Sequence, residues 1–275
     1  MNPYFPNVSG RTLELELRLR ALAYDLPEET RCRLYALLSE AHSPLRPTSF
    51  ALENDVVLVH QEQREIAFPR PLPMVKFSHI IFGYEQWLER KYTLPGFVAI
   101  DAGDTVVDCG AYVGGFSLSA AKVAGQLHAF EPEQANFACL TRNLTDHANV
   151  MLDQRGLYAS SQRMLLNISA SSVEHSLLTP DDGDPIELRP IEVVSLRDYC
   201  GEKAITQIDF LKIEAEGVEI EVFQGLGDMN PAKLAIDVSP EREGQSPADE
   251  LGRLLGARGY EIRQRGHVMF GRRSV

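Results

Sequence analysis

The chain has 275 residues, 44% of them hydrophobic and 24% charged. That is the balance of a globular fold with one large domain, or one domain and an appendage. A formal net charge of −12 argues against any global attraction to nucleic acid or anionic lipid.

No apolar run approaches the ~18 residues of a membrane helix. The opening M-N-P-Y-F-P-N lacks the pattern of a signal peptide. Cys32, Cys109, Cys139 and Cys200 show neither disulfide nor metal spacing. A cytoplasmic protein with reduced thiols is expected.

Residues 12–42 are rich in Leu, Glu and Arg. Thr12 is a candidate cap for a first helix, with Leu15, Leu19, Leu22 and Leu26 along one face. The run L-E-L-E-L-R-L-R also alternates with period two, but its residues are strong helix formers. Pro27 suits the first turn of a second helix, with Glu28 and Glu29 at its positive end, running to about His42. Residues 50–60 and 64–68 predict a hairpin turning at Gln61-Glu62-Gln63. Beyond the stiff stretch of Pro69, Pro71 and Pro73, Phe82, Tyr84, Trp87 and Tyr92 predict an aromatic-rich helix. Tyr84 is a candidate to cover a ligand held at the turn that follows. Residues 1–75 therefore read as a lid, substrate or dimer element, and 76–275 as the main domain.

The stretch 106–132 is the most informative. Apolar Val106 and Val107 lead to Asp108, a turn over residues 110–115, a helix over 116–124, and a second buried strand over 127–130 that ends in Glu131. This is strand, glycine turn, helix, strand, carboxylate, and ligands in open parallel sheets lie beyond the carboxyl ends of the strands. Gly110 and Gly114 can adopt positive φ and let backbone approach a ligand. The spacing D-x-G-x-x-x-G is not the dinucleotide G-x-G-x-x-G. A carboxylate at Asp108 repels a pyrophosphate and attracts an amino group, while Glu131 is placed to accept ribose hydroxyls. A nucleoside with a zwitterionic tail fits this pair, and S-adenosylmethionine has that shape. The candidate donor-binding residues are Tyr84, Asp108, Gly110, Ala111, Tyr112, Gly114, Phe116, Ser117, Glu131, Pro132 and Asn136. Gly156 and Leu157, after a third strand at 150–152, are candidates for the base. Cys109 reads as a small packing residue.

Residues 160–205 are harder to parse. Strands are expected over 164–168 and 187–194, with a polar loop between them that could carry substrate contacts, His175 included. The second informative stretch begins at Ile208, I-D-F-L-K-I-E-A-E-G-V-E. Lys212, Glu214 and Glu216 share one face if the backbone stays extended, and ionisable groups ending a buried strand are costly unless paired or used. Gly217 ends that strand. Residues 233–238 form another core strand with Asp237 near its tip. A helix over 246–258 and a hairpin around Gly266 close the sheet.

These motifs resemble those of the FkbM-type methyltransferases. V-V-D-C-G-A-Y-V-G is similar to that family's V-D-x-G-A-N-x-G. F-E-P-E-Q-A-N-F-A-C-L-T-R-N and I-D-F-L-K-I-E-A-E-G-V-E-I-E-V-F-Q-G resemble its next two motifs. The resemblance covers roughly residues 80–240 and implies an α/β class I methyltransferase fold, a seven-stranded, mostly parallel sheet with helices on both faces. It also implies S-adenosylmethionine as donor and O-methylation of a natural product or saccharide hydroxyl, a carboxylate or amine being the other acceptors. Two departures stand out: Tyr112 where the family usually has Asn, and Glu214 where it often has Asp. The first ~75 residues resemble no family.

An oxygen acceptor must lose its proton, for which Glu214, Glu216, Asp237 and His175 are candidates, with Lys212 pairing a carboxylate or orienting the acceptor. Aromatic faces at Tyr84, Tyr112 or Phe116 could attract the sulfonium. The acidic trio could hold Mg²⁺, but a metal-free site is the expectation. A small-molecule acceptor is the expected partner, and a homodimer is left open. Two other classes stand beside this reading: a nicotinamide-dependent oxidoreductase, and a non-catalytic module that retains the fold.

Overall fold

A computed structural model describes residues 8–43, 45–169, 176–177, 187–242 and 244–273. The chain divides into two compact units, Met1–Lys91 and Tyr92–Val275. The division falls later than the expected 75/76 because the segment after the proline stretch packs with the first unit.

That unit begins with α1 (Gly10–Ala23) and α2 (Glu28–Ala41). Ser9, not Thr12, caps α1: its Oγ accepts the Thr12 backbone N–H at 3.1 Å. The leucine face is not the buried one. Leu22 is 79% exposed, whereas Thr12, Glu16 and Ala23 are buried. The reason is polar: Glu16 accepts hydrogen bonds from the Tyr35 and Ser78 hydroxyls, and that pairing orients the helix. Three strands follow, β1 (Thr48–Glu53), β2 (Val56–Gln61) and β3 (Arg64–Pro69), in an antiparallel meander. The expected first strand over 50–60 is thus two strands, folded at Asn54 (φ +25°); Asn tolerates left-handed backbone. The expected aromatic helix is also two, α3 (Met74–Ile81) and α4 (Tyr84–Tyr92), broken at Gly83 with φ +96°.

The second unit contains β4 (Thr105–Cys109), α5 (Gly115–Ala120), β5 (Gln126–Phe130), α6 (Gln134–Leu144) and β6 (Val150–Asp153). Next come β7 (Gly156–Leu157), β8 (Gln162–Ile168), β9 (Glu187–Val194) and α7 (Leu196–Lys203). It ends with β10 (Phe210–Ile213), α8 (Glu219–Gln224), β11 (Lys233–Asp237), α9 (Ala248–Ala257), β12 (Tyr260–Arg265) and β13 (Val268–Arg273). Seven strands form one sheet in the order β12-β13-β11-β10-β4-β5-β6. β13 alone runs against the direction of the other six strands. The continuous apolar runs of β4 and β10 suit strands covered on both faces, and every residue of β10 is buried.

The chain enters this sheet at its centre, moves outward through β5 and β6, then returns to place β10 on the other side of β4. That reversal creates a crevice at the carboxyl ends of β4 and β10. The register sets Lys212 directly opposite Asp108, and Cys109 opposite both Phe130 and Ile213.

The return path carries what the sequence left unparsed. β7, β8 and β9 form a separate three-stranded sheet, so Gly156 and Leu157 pair with Val193 and Val194 and extend no central strand. The helix α7 was not foreseen; Ser195 caps it through the Asp198 N–H at 3.1 Å. His175 lies outside the described residues.

Candidate active site

The glycine turn after β4 is held from three sides. Backbone N–H groups of Gly110 and Ala111 both donate to the Phe130 carbonyl, at 3.1 and 2.9 Å. The Glu214 N–H donates to the Cys109 carbonyl at 3.1 Å. The Lys212 ammonium donates to the carbonyls of Cys109 and Gly110 at 3.1 and 2.6 Å. Gly110 (φ +71°) and Gly114 (φ +88°) use the left-handed freedom that the spacing implied. What each makes room for is protein: a Cβ on Gly110 would stand 1.8 Å from the Glu214 carbonyl oxygen, and one on Gly114 would stand 2.8 Å from Leu140 Cδ1. Tyr112, between them, is itself left-handed at φ +52°. An asparagine tolerates that conformation better than a tyrosine.

Asp108 is fully buried, and the cation beside it belongs to the chain. Lys212 Nζ lies 3.0 Å from Asp108 Oδ1, and Ser117 Oγ donates to Oδ2 at 2.6 Å. Asp108, expected to meet a ligand's amino group directly or through water, is engaged here in an internal ion pair. Burial alone would discharge the ammonium, but Asp108 and Glu214 outweigh it and hold the lysine's pKa above its ordinary value.

Glu214 Oε2 takes the other side of Lys212 at 3.2 Å, and its side chain keeps 26% exposure. Glu216 does not share that face as expected. The strand ends at Ile213 and Glu216 turns left-handed (φ +49°), its carbonyl accepting the Ser176 hydroxyl at 2.6 Å. Glu219, a residue the sequence reading passed over, closes this turn. Its Oε1 accepts the N–H groups of Ala215 and Gly217 at 3.0 and 3.1 Å. Burial pushes its pKa up to about 7 against those two bonds.

Asp237, at the tip of β11, accepts from the Ser239 N–H at 2.8 Å and from the Tyr92 hydroxyl at 3.4 Å. Tyr92 was also missed. Its ring lies 5.2 Å from Lys212 Nζ and meets Phe116 edge-on at 5.8 Å. Phe116 stacks on Phe210 on its other side, so it is a packing residue and not an open face for a sulfonium. Tyr84 packs within the first unit against Phe68 at 5.2 Å.

Glu131 sits one strand over. It accepts from the Tyr112 N–H at 2.9 Å, the Glu133 N–H at 3.0 Å and the Asn136 amide at 3.4 Å. A carboxylate offers about four lone-pair positions, so these three donors leave room for a further one. Burial raises its pKa to about 7, opposed by those hydrogen bonds. Glu133 caps α6 through Asn136 N at 2.8 Å and pairs with Arg189 at 2.8 Å. Gly156 lies near Pro132, where its missing Cβ would stand 3.7 Å from that ring. Among the described residues no group of three His, Cys, Asp or Glu side chains is arranged to hold a metal. All four cysteines are free and buried, and burial raises the Cys109 thiol well above its ordinary range.

A sheet of this order, with a glycine turn ending its central strand and a carboxylate ending the next, is that of a class I methyltransferase. The chain belongs to the family of the methyltransferase FkbM domain, whose sequence profile matches residues 108–262. It is similar to the 31-O-demethyl-FK506 methyltransferase FkbM of Streptomyces tacrolimicus, 27% identical over 225 residues that span 67% of this chain and 85% of that protein. It is also similar to methyltransferase 1 of Beauveria bassiana, 27% identical over 146 residues that span 45% of this chain and 58% of that protein. Among solved structures, the Methanococcus jannaschii fibrillarin pre-rRNA processing protein superposes with a TM-score of 0.40 at 11% identity. That superposition covers 82% of this chain and 96% of the other.

Proposed function

We propose that the protein transfers a methyl group from S-adenosylmethionine to an oxygen of a small-molecule acceptor, a hydroxyl of a natural product or saccharide. The observation that carries this reading is Glu214, an acid at the mouth of the β4–β10 crevice, backed by a buried lysine. Bound there, S-adenosylmethionine supplies an electrophilic methyl on a sulfonium. The turn residues Gly110, Ala111 and Tyr112 line its place, and Glu131 accepts its ribose hydroxyls beside Pro132 and Asn136. Gly156 borders the base. Glu214 accepts the acceptor's proton, and Lys212, 3.2 Å away, holds that carboxylate in place. Asp237 and Lys212 lie buried behind it and act through the groups they hold. The family membership supports the reading over a nicotinamide-dependent oxidoreductase.

Glu214→Gln is expected to lower turnover by about 10²–10⁴-fold, the usual range for a lost general base, while donor affinity measured by calorimetry stays within twofold. Wild-type turnover in that variant would remove Glu214 from the role. Donor affinity should also depend on pH. Burial sets the Glu131 pKa at about 7, and ribose hydroxyls donate best to the ionised form. Affinity should therefore fall as pH drops through 7 toward 5.5, and a flat calorimetric profile would contradict ribose binding by Glu131. The direct test is incubation with methyl-labelled donor and a panel of hydroxylated small molecules, the product's methyl being located by NMR. Transfer to nitrogen or carbon instead of oxygen would overturn the proposal.

A further inference from the structure

Two carboxylates stand side by side at the entry to α6. Glu131 and Glu133 are both buried, at 6% and 5% exposure. They meet on one residue: Asn136 gives its backbone N–H to Glu133 Oε2 at 2.8 Å and its side-chain amide to Glu131 Oε1 at 3.4 Å. The Glu133 N–H also donates to Glu131 Oε1, at 3.0 Å. Like charges this close oppose each other's ionisation. Arg189 on β9 answers one of them. Its Nη1 donates to Glu133 Oε1 at 2.8 Å, while its Nε and Nη2 donate to Glu187 at 3.1 and 2.9 Å.

β9 brings more than a charge. Arg189, Ile191 and Val193 alternate along the strand and so share one face. A Cβ added to Gly156 would stand 3.2 Å from Val193 Cγ1, 3.5 Å from Ile191 Cδ1 and 3.7 Å from Pro132 Cβ. The face that carries Arg189 therefore lies along the rim formed by Gly156, Pro132 and Glu133.

We infer that Arg189 is a positioning residue for donor binding: it anchors β9 to the N-cap of α6 and offsets the Glu133 charge beside the Glu131 carboxylate. The inference rests on the reading of Glu131 as the acceptor of the donor's ribose hydroxyls. Among the described residues, Glu131 is faced by the Tyr112 N–H from the turn after β4, and by the Asn136 amide with the N–H and carboxylate of Glu133 from α6. On the β6 side its own N–H donates to the Asp153 carbonyl at 3.2 Å, and the Asp153 carboxylate is paired with Arg155 at 2.8 Å. The Cys109 thiol of β4, which burial keeps protonated, adds no charge. Burial lifts the Glu131 pKa to about 7, and the Glu133 charge pushes the same way. Without Arg189 that push is unopposed, and Glu131 takes up its proton at higher pH.

Arg189→Met keeps the aliphatic stem and loses the charge, at a side chain that is 31% exposed, so the fold is retained. The pH at which calorimetric donor affinity falls to half should rise by about 0.5–1 on the pH scale, with affinity unchanged on the alkaline plateau. Arg189→Lys, which leaves a cation beside Glu133, should restore most of the wild-type profile. In a Glu133→Gln background, Arg189→Met should move nothing; a full shift there would show that Arg189 does not act through Glu133 and would overturn the inference. A carboxyl-carbon NMR titration of Glu131 in the ligand-free protein reads the same change without donor. If that titration in Arg189→Met matches the wild type, the inference is overturned, and an affinity lost equally at every pH is mere loosening of β9. If the titration moves while donor affinity ignores pH in both proteins, the link from Arg189 to Glu131 stands, and it is the ribose reading of Glu131 that fails.

Discussion

Replacing Lys212 with methionine is expected to destabilise the second unit by about 3–5 kcal/mol, the usual consequence of removing one partner from a buried ion pair. Methionine matches the lysine stem in length, so little packing is lost. What is lost is charge. Asp108, with no exposure, would keep only the Ser117 hydroxyl at 2.6 Å against a full negative charge. The carbonyls of Cys109 and Gly110 would lose their side-chain donor at the same time. The double replacement Asp108→Asn with Lys212→Met should recover most of the loss, because the uncompensated carboxylate is gone. Urea unfolding followed by circular dichroism reads both. A single variant as stable as the parent would show that the pair does not matter to the fold. A double variant no better than the single would show that the lysine acts through the carbonyls.

The second large effect belongs to Gly110. Alanine there meets two penalties: a backbone at φ +71°, and a methyl 1.8 Å from the Glu214 carbonyl oxygen. The first costs roughly 1–2 kcal/mol. The second cannot be relieved by a side-chain rotation, because the obstacle is main chain, anchored by the Glu214 N–H bond to the Cys109 carbonyl. The loss should exceed ~4 kcal/mol and abolish donor binding. Gly259 separates the two penalties. It sits at φ +78° with nothing within 4 Å of its ideal Cβ, so Gly259→Ala should cost only about 1 kcal/mol. Equal losses in the two variants would mean that backbone conformation alone is responsible.

The glycine turn and the carboxylate at Glu131 were legible because each rests on local spacing: D-x-G-x-x-x-G, then an acid at the end of the next strand. The pairing of Asp108 with Lys212 was not read, although both residues were singled out. It follows from register, since the two are direct partners across β4 and β10, and register is a property of two segments about a hundred residues apart. Tyr92 was hidden for the same reason: it looks like one more aromatic of a packing helix until the fold brings it to Lys212. Glu216 misled because alternation was extended past Ile213, where Gly217 and the two N–H groups taken by Glu219 curl the chain. The meander in the first unit was misjudged at Asn54-Asp55, a turn pair inside an otherwise strand-like run.

Tyr112 puts a small strain into the glycine turn. Its backbone adopts the left-handed conformation that asparagine tolerates more readily. The tyrosine costs the fold roughly 1 kcal/mol that a smaller polar residue would spare it. Relief of that strain is available at a single side chain: Tyr112→Asn should raise the urea midpoint of the second unit, with Gly110 and Gly114 left as they are.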